Sequence, residues 1–247
     1  QDSNSIAIEM ANNALVMARA NNNLTHQAEA FGIMAKGYEY SNNYNMALEY
    51  YMKAYDTYLL AGDSLEMAEN RFNSALMNYY TGRYKKSLEH YYEALTYYKK
   101  VNNHNEIARV YQNIGMVYYD LDQTDKTLQF YKHALSINKK LKHEINIAGL
   151  YLNIGLVYYS QQDYEKSTEY MKNSRKLFIK LDDKEGLATV SSNLGLIYET
   201  REKFWKALPY YQEAYKIFDE INYKRGVAYT LFNLGSIYQN LDHVQTA

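Results

Sequence analysis

Asparagine recurs at a fixed spacing of forty residues along most of this 247-residue chain. A side-chain amide carries two N–H donors and a carbonyl acceptor, so a single Asn can bond both groups of a peptide unit. A row of aligned amides could therefore hold the main chain of an extended peptide. The chemistry indicated is binding, with no transfer of protons or electrons. The row consists of Asn73, Asn113, Asn153, Asn193 and Asn233.

The asparagine row has two interpretations at the level of sequence. Asn inside a helix costs roughly 0.6 kcal/mol relative to Ala, so its recurrence in register needs a compensating role. In the first interpretation each amide bonds a neighbouring helix and fixes how successive repeats stack. In the second the amides form a ladder that binds a peptide lying along a groove.

Apolar and aromatic residues accompany the asparagines at the same period. Residues three places apart share a helix face, so an apolar strip would flank the row and suit an extended or amphipathic ligand. Tyr combines a large contact area with a polar tip, although plain packing between helices explains it equally well. The predicted peptide-binding residues beside the asparagines are Leu76, Met116, Leu156, Leu196, Tyr79, Tyr119 and Tyr159.

Other kinds of chemistry find little support in the sequence. It contains no Gly-x-x-x-x-Gly-Lys, His-Glu-x-x-His or Gly-x-Ser-x-Gly motif, no cysteine, and six scattered histidines. We therefore predict no catalytic residue, no cofactor and no metal site, and hence no enzyme. The net charge of -1 argues against nucleic acid as a partner. No apolar run approaches the ~20 residues of a membrane span, so a soluble protein is expected, cytoplasmic or periplasmic.

The elements that would position these residues follow from the period itself. A strict forty-residue repeat is typical of stacked helical units. Around Asn113, apolar and small residues fall on one arc of a helix and predict its buried face. The opposite face carries the asparagine with Arg109, Met116 and Asp120. The buried arc consists of Ala108, Tyr111, Ile114, Gly115 and Tyr118.

The period predicts an all-α solenoid of antiparallel helix pairs in a single domain over residues 1–247. It has five complete repeats and a half repeat at each end, so we expect a fragment of a longer protein that can self-associate through open repeat ends. The predicted final helix covers about 224–240. The segments are 3–21 (half repeat), 25–61, 64–101, 104–141, 144–181, 184–221 (complete repeats) and 224–247 (truncated repeat).

Local signals place the breaks between these helices. Capping-box spacing predicts helix starts at Asp63 with Glu66, Asn103 with Glu106, and Asp182 with Glu185. Gly82-Arg83 and Gln162-Asp163 are predicted turns. Pro209 falls inside a predicted helix, where a kink or a functional hinge is expected.

The pattern Tyr111-x-x-Ile114-Gly115-x-x-Tyr118, followed by Thr127, Tyr131 and Ala134, resembles the tetratricopeptide repeat. The match extends over nearly the whole chain. It is most similar to the forty-residue variety of peptide-pheromone receptors, kinesin light chains and the sensor portions of some bacterial regulators. The departures from the pattern are Ile33 and Ala35 in the first unit, Asn78 in place of Tyr, and Thr168 in place of Leu.

The resemblance implies a right-handed superhelix whose first helices line a concave surface, where ladders of Asn hold peptide main chain. Chaperone-binding relatives grip a terminal carboxylate with several basic residues on that surface. Here only Lys36 and Arg109 are basic, so we expect no carboxylate clamp.

Two classes of function remain in competition. The first is a non-catalytic module that binds a peptide or protein segment, such as the sensory region of a signalling regulator. The alternative is a structural scaffold or self-assembling spacer without a peptide ligand. An enzyme would need a site that the sequence does not reveal.

Overall fold

The computed structural model describes residues 3–246, with side chains as far as Asp242. These residues form twelve α-helices and no strand, which confirms the all-α prediction. The helices are α1 (Ser3–Ala20), α2 (Leu24–Tyr40), α3 (Tyr44–Ala61), α4 (Ser64–Tyr80), α5 (Tyr84–Lys100), α6 (His104–Asp120), α7 (Thr124–Leu141), α8 (Glu144–Ser160), α9 (Tyr164–Leu181), α10 (Lys184–Thr200), α11 (Phe204–Glu220) and α12 (Lys224–Thr246).

The chain divides into two compact units, Gln1–Phe130 and Tyr131–Ala247. In the first unit each helix from α1 to α6 packs on the next, and α4 also contacts α6. In the second unit the same holds from α8 to α12, with further contacts of α10 to α8 and α12. Turns of only a few residues make consecutive helices antiparallel. The predicted single domain over the whole chain stays a prediction.

In most pairs the second helix is anchored by a buried tyrosine and a buried alanine one turn later, whereas α9 carries the buried Met171 and Ser174 at these positions. Tyr51, Tyr91 and Tyr211 are almost completely buried. Ala54 and Ala94 lie on the same faces and are equally enclosed. The large ring fills the space between helices, while the small residue lets the neighbouring helix approach.

Each turn contains one residue in the left-handed backbone region. It is Gly at Gly62 and Gly82, and elsewhere mostly Asn or Asp, such as Asn42 with φ 56°. In several turns the next residue then caps the following helix with its side chain. Asp63 Oδ1 accepts from the Glu66 N–H at 3.2 Å, and the equivalent bond from Glu106 to Asn103 is 3.3 Å. These two predicted helix starts are correct.

The third predicted start, at Asp182, is wrong by one residue. Helix α9 extends through Leu181, so Asp182 provides the left-handed residue with φ 54°. Asp183 then becomes the cap, and its Oδ1 accepts from the Gly186 N–H at 2.8 Å. Because two aspartates are adjacent, the sequence is compatible with either of them as the helix cap.

Two further observations concern the last two helices, and only the second of them differs from the prediction. Pro209 lies inside α11, which continues from Phe204 to Glu220. Helix α12 continues to Thr246 instead of ending near residue 240.

Candidate functional site

The five asparagines of the row differ in burial. Asn73, Asn113, Asn153 and Asn193 are half-buried on first helices, and Asn233 is buried with 7% of its surface exposed. The first two belong to the first unit and the others to the second. Four members therefore keep part of their side chain accessible.

The amide nitrogen of two of these asparagines is used within its own helix. Asn113 Nδ2 donates to the Arg109 carbonyl at 2.9 Å, and Asn193 Nδ2 donates to the Thr189 carbonyl at 2.9 Å. Such a side chain can still offer a ligand its carbonyl oxygen, an acceptor for N–H groups, and the second N–H of its amide. Asn113 Oδ1 also lies 3.4 Å from the Tyr91 hydroxyl on α5. At Asn113 this contact favours the stacking interpretation.

The apolar strip beside the row is half-buried throughout. Leu76, Leu156 and Leu196 each pack against a cluster of core residues. Met116 has intermediate exposure. Each side chain therefore presents only one edge to a ligand, and the remainder contributes to helix packing.

Two of the three tyrosines connect first helices of adjacent repeats. Tyr79 donates from its hydroxyl to Asp120 Oδ2 at 2.6 Å, joining α4 to α6. The Tyr159 hydroxyl lies 2.9 Å from Thr200 Oγ1, joining α8 to α10. Tyr119 is 39% exposed. Helix packing, the alternative interpretation, is thus part of the role of Tyr79 and Tyr159.

Within the first unit, a groove of about 460 Å³ lies between α2 and α4, with α3 behind it. We call it the N-terminal groove. Asn73 lines it, together with the buried Asn70 from the preceding turn of α4. The charged residues lining it are Glu29, Lys36, Asp63, Glu66 and Glu69, so its net charge is negative.

The carboxylates of the N-terminal groove differ in their partners. Glu69 accepts from Tyr98 at 3.0 Å and pairs with Arg109, whose guanidinium lies 3.9 Å from the centre of the Phe72 ring. Partial burial raises the pKa of Glu66, and the charges of Asp63 and Glu69 add to this. Arg109, one of the two basic residues expected on this surface, is therefore already occupied by carboxylates.

Within the second unit, a cavity of about 290 Å³ lies between α10 and the start of α12. We call it the C-terminal cavity. Asn193 lines it, as do Ser192 and Arg225, which the sequence analysis missed. The backbone of Gly226 lies so close to Phe218 that an added Cβ would be 2.5 Å from its ring. Most other repeats have a larger residue at the position of Gly226. This glycine was therefore the one feature of the sequence that could have indicated a close approach of two helices here.

A third cavity, of about 510 Å³, is lined mainly by second helices α9 and α11, with Trp205 and Pro209 at its edge. Its charged residues are largely paired, since Arg175 bonds Glu213 at 2.6 and 3.3 Å. None of the predicted binding residues lines it.

Over the described residues, no group of three or more His, Asp or Glu side chains is placed to hold a metal. The helices between residues 3 and 246 are all too short or too polar to cross a bilayer.

Comparison with known proteins identifies the repeat. A model of the tetratricopeptide repeat family matches residues 64–140 and 146–220, which is more than half of the chain. The chain belongs to the tetratricopeptide repeat family. No curated protein sequence matches this tetratricopeptide chain.

Solved structures share the fold of this tetratricopeptide chain. BtubC (BKLC) from P. vanneervenii has a TM-score of 0.76 and 20% identity, over 90% of this chain and 93% of the other. The apo form of RapI has a TM-score of 0.73 and 20% identity, over 98% of this chain and 94% of the other. The Rap conjugation gene regulator of plasmid pLS20, in complex with the Phr* peptide, has a TM-score of 0.70 and 17% identity, over 93% of this chain and 66% of the other.

Proposed function

We propose that this tetratricopeptide chain is a non-catalytic module that binds an extended peptide on the asparagine-bearing face of its first helices. The observation that carries the proposal is that asparagines of the row line concave surfaces in both units. Asn73 lines the N-terminal groove and Asn193 lines the C-terminal cavity.

The bonding pattern of the asparagines supports contact with peptide main chain. Because the Asn193 amide nitrogen is held by the Thr189 carbonyl, its oxygen has a fixed direction. A fixed acceptor binds an N–H group at a smaller entropic cost than a mobile one. Every residue of a peptide except proline carries such an N–H, so this contact gives affinity without selecting a sequence.

Selectivity would come from the side chains around the row. The half-buried edges of Leu156 and Leu196 offer apolar contact, and Tyr119 offers an exposed ring. The Phr* peptide complex of the structurally similar conjugation regulator supports a sensory role for this chain in signalling. Such a role requires that the bound peptide favours one conformation of the protein over another.

A random peptide library displayed on phage tests the proposal. The wild-type protein should enrich peptides, and the Asn153→Ala, Asn193→Ala double variant should lose them with an unchanged melting temperature. Asn105→Ala with Asn173→Ala is the matched control, since both are exposed asparagines outside the row. Loss of stability in the row variant with full retention of peptides would show that the asparagines only stack repeats.

The second candidate function, a self-assembling scaffold, is favoured by the exposed apolar residues of the first and last helices. Met17 of α1 is 68% exposed and Phe232 of α12 is 78% exposed. If these faces join copies of the chain, sedimentation velocity will show concentration-dependent growth that Phe232→Ser abolishes. A monomer at all concentrations would reject this candidate.

A further inference from the structure

We propose that the Asn78–His90 pair, which lies between helices α4 and α5, is an acid-sensitive joint: protonation of His90 weakens the packing of these two helices. The proposal concerns the conformation of the first unit and does not depend on peptide binding. Because α4 also carries Asn73, a loosened α4 would change the N-terminal groove that this residue lines.

The repeat position of this pair provides the first observation. In four of the five complete repeats the equivalent residues are two aromatic rings, one from each helix, stacked with 5.4–5.6 Å between their centroids. Such ring pairs stabilise a packed interface beyond the area that they bury. Only the repeat of α4 and α5 has an amide and an imidazole instead. The stacked pairs are Tyr38–Tyr50, Tyr118–Phe130, Tyr158–Tyr170 and Tyr198–Tyr210.

Two polar atoms near this joint provide the second observation. Asn78 is 1% exposed and Ser87 is fully buried, yet neither Asn78 Oδ1 nor Ser87 Oγ has a hydrogen-bond partner among the described residues. Ser87 has the repeat position of Ser167, whose Oγ donates to the Gly155 carbonyl of the neighbouring first helix at 2.8 Å. Buried polar groups are rarely left without a partner, because their lost hydration is then not replaced. The interface between α4 and α5 therefore carries a cost that the aromatic pairs avoid.

The amide of Asn78 determines which protonation state of His90 fits. Asn78 Nδ2 donates to the Ser74 carbonyl at 3.0 Å and lies 3.4 Å from His90 Nδ1. A neutral imidazole with its proton on Nε2 can accept from this amide through Nδ1, whereas a protonated imidazole would bring two donors face to face. Rotating the amide would present Oδ1 to the ring, but it would break the bond to the Ser74 carbonyl. Protonation of His90 is therefore unfavourable with either orientation of the amide.

The charges around the His90 ring also oppose its protonation on balance. On α4, Arg71 disfavours a positive charge on the ring, and an ion pair with Glu93 holds this arginine in place. On α5, Lys86 acts in the same direction, whereas Glu89 and Glu93 favour the charged ring. Burial is the largest effect, and together with Arg71 it lowers the pKa of His90 below the ordinary 6.5.

The direction of the pH effect follows from this lowered pKa. The folded state binds a proton at His90 less readily than the unfolded chain does. Stability is therefore complete above about pH 6.5 and is lost as the pH falls toward the lower pKa of the folded state. Glu66 on the same helix acts in the opposite direction, since its pKa is raised. The effect of His90 is isolated by comparing the wild type with a His90 variant at the same pH.

Hydrogen exchange of the full chain, followed by mass spectrometry at about pH 7.5 and about pH 5.5, tests the joint. After correction for intrinsic exchange rates, we expect the opening equilibrium of α4 and α5 to rise about three- to tenfold more in the wild type than in His90→Gln, which takes up no proton. The contribution of Glu66 cancels because both proteins contain it. An equal change in the two proteins would overturn the proposal.

Two further variants assign the response to this pair. The double variant Asn78→Tyr, His90→Tyr introduces the stacked rings of the other repeats and should lose the acid response. His26→Gln is the matched control, because it removes an exposed histidine of the same unit and should keep the wild-type response. Persistence of the response in the double variant, or its loss in His26→Gln, would count against the joint.

A measurement on the wild-type ring remains decisive if the double variant fails to fold. Long-range ¹H–¹⁵N NMR reports the tautomer and the charge of each histidine, and the spectrum of His90→Gln identifies the signals of His90. We expect the proton on Nε2 at about pH 7.5 and a titration midpoint below 6.5. A proton on Nδ1, or a midpoint above 6.5, would show that the charged ring has a favourable partner and would refute the proposal.

Discussion

At the scale of single residues, the buried tyrosines stabilise helix pairs with both ring and hydroxyl. Tyr211 is fully buried, and its hydroxyl donates to Glu199 Oε2 at 2.7 Å. Burial and the Glu199 carboxylate both raise the pKa of Tyr211, which keeps it protonated as the donor. Tyr91 occupies the same repeat position, but its hydroxyl reaches only the Asn113 amide at 3.4 Å.

This difference predicts unequal costs of losing the hydroxyl. Tyr211→Phe should lower the free energy of unfolding by about 1–2 kcal/mol, because a hydrogen bond to a carboxylate is removed. Tyr91→Phe should lower the free energy of unfolding by less, because the hydroxyl lies 3.4 Å from a neutral amide oxygen. Urea denaturation of the two variants measures both, and equal losses would contradict the importance of the carboxylate.

Glu66 gives a prediction about pH. Its pKa is raised above the ordinary 4.5, so its ionised form destabilises the folded state, and this cost disappears as the pH falls through the raised value. Glu66→Gln should therefore be slightly more stable than wild type at pH 7, by under about 1 kcal/mol. The free energies of unfolding of the variant and the wild type should become equal below about pH 4.5.

Melting curves across this pH range test the prediction. Glu89→Gln, on the exposed side of α5, is the control and should show a smaller difference at neutral pH. A Glu66→Gln variant that is less stable at pH 7 would mean that the carboxylate has a favourable partner.

The sequence predicted that the asparagines share one face of the first helices, because that depends only on helical period, but it did not predict that Asn233 is buried. It did not predict that Asn193 Nδ2 bonds the Thr189 carbonyl, since this depends on the side-chain rotamer. Ser192 and Arg225 escaped prediction because only the space between two helices makes them neighbours.

At the scale of helices, glycine spacing controls how closely pairs pack. A Cβ added at Gly195 would lie 2.9 Å from the buried Tyr211 ring, whereas a Cβ at Gly149 would have nothing within 4 Å. Gly195→Ala should destabilise the protein by about 1–3 kcal/mol through overpacking. Gly149→Ala should stabilise it by up to about 1 kcal/mol through helix propensity.

Thermal and urea denaturation of both glycine variants check this prediction. A stabilising Gly195→Ala would mean that the Tyr211 ring moves aside at little cost. The pair is well matched, since both glycines lie on first helices of the second unit.

Helix boundaries were the most predictable feature of the fold, because the period repeats the same turn many times. An error arose where two residues competed for one role, at Asp182 and Asp183. Local chemistry permits both outcomes there, and packing decides between them.

At the scale of the whole molecule, the helices α1–α6 of the first unit and α8–α12 of the second contact mainly their neighbours in the sequence. The stability of such proteins is approximately a sum of contributions from single repeats and their interfaces. A destabilising substitution should therefore affect mainly the repeat that carries it and the adjacent repeats. Gly195→Ala should raise amide hydrogen exchange in α10–α12 and leave α2–α4 unchanged. Mass spectrometry of the exchanged protein measures this, and uniform loss of protection would indicate a single cooperative unit.

The all-α class followed from the repeat alone, since a forty-residue period with helical apolar spacing has few other solutions. The division into two units and the opposite charge of the two cavities did not follow. The charges that line the two cavities belong to positions that differ between repeats, which the shared pattern does not reveal.

The central claim is that asparagine side chains bind peptide main chain. An amide-to-ester scan of a library-selected peptide, measured by calorimetry with wild-type protein and with Asn193→Ala, tests it most directly. We expect the ester that removes the contacting N–H to weaken binding by about 0.5–1.5 kcal/mol in wild type and to have no effect in the variant. Equal losses in both proteins, or no loss at any position, would contradict the claim.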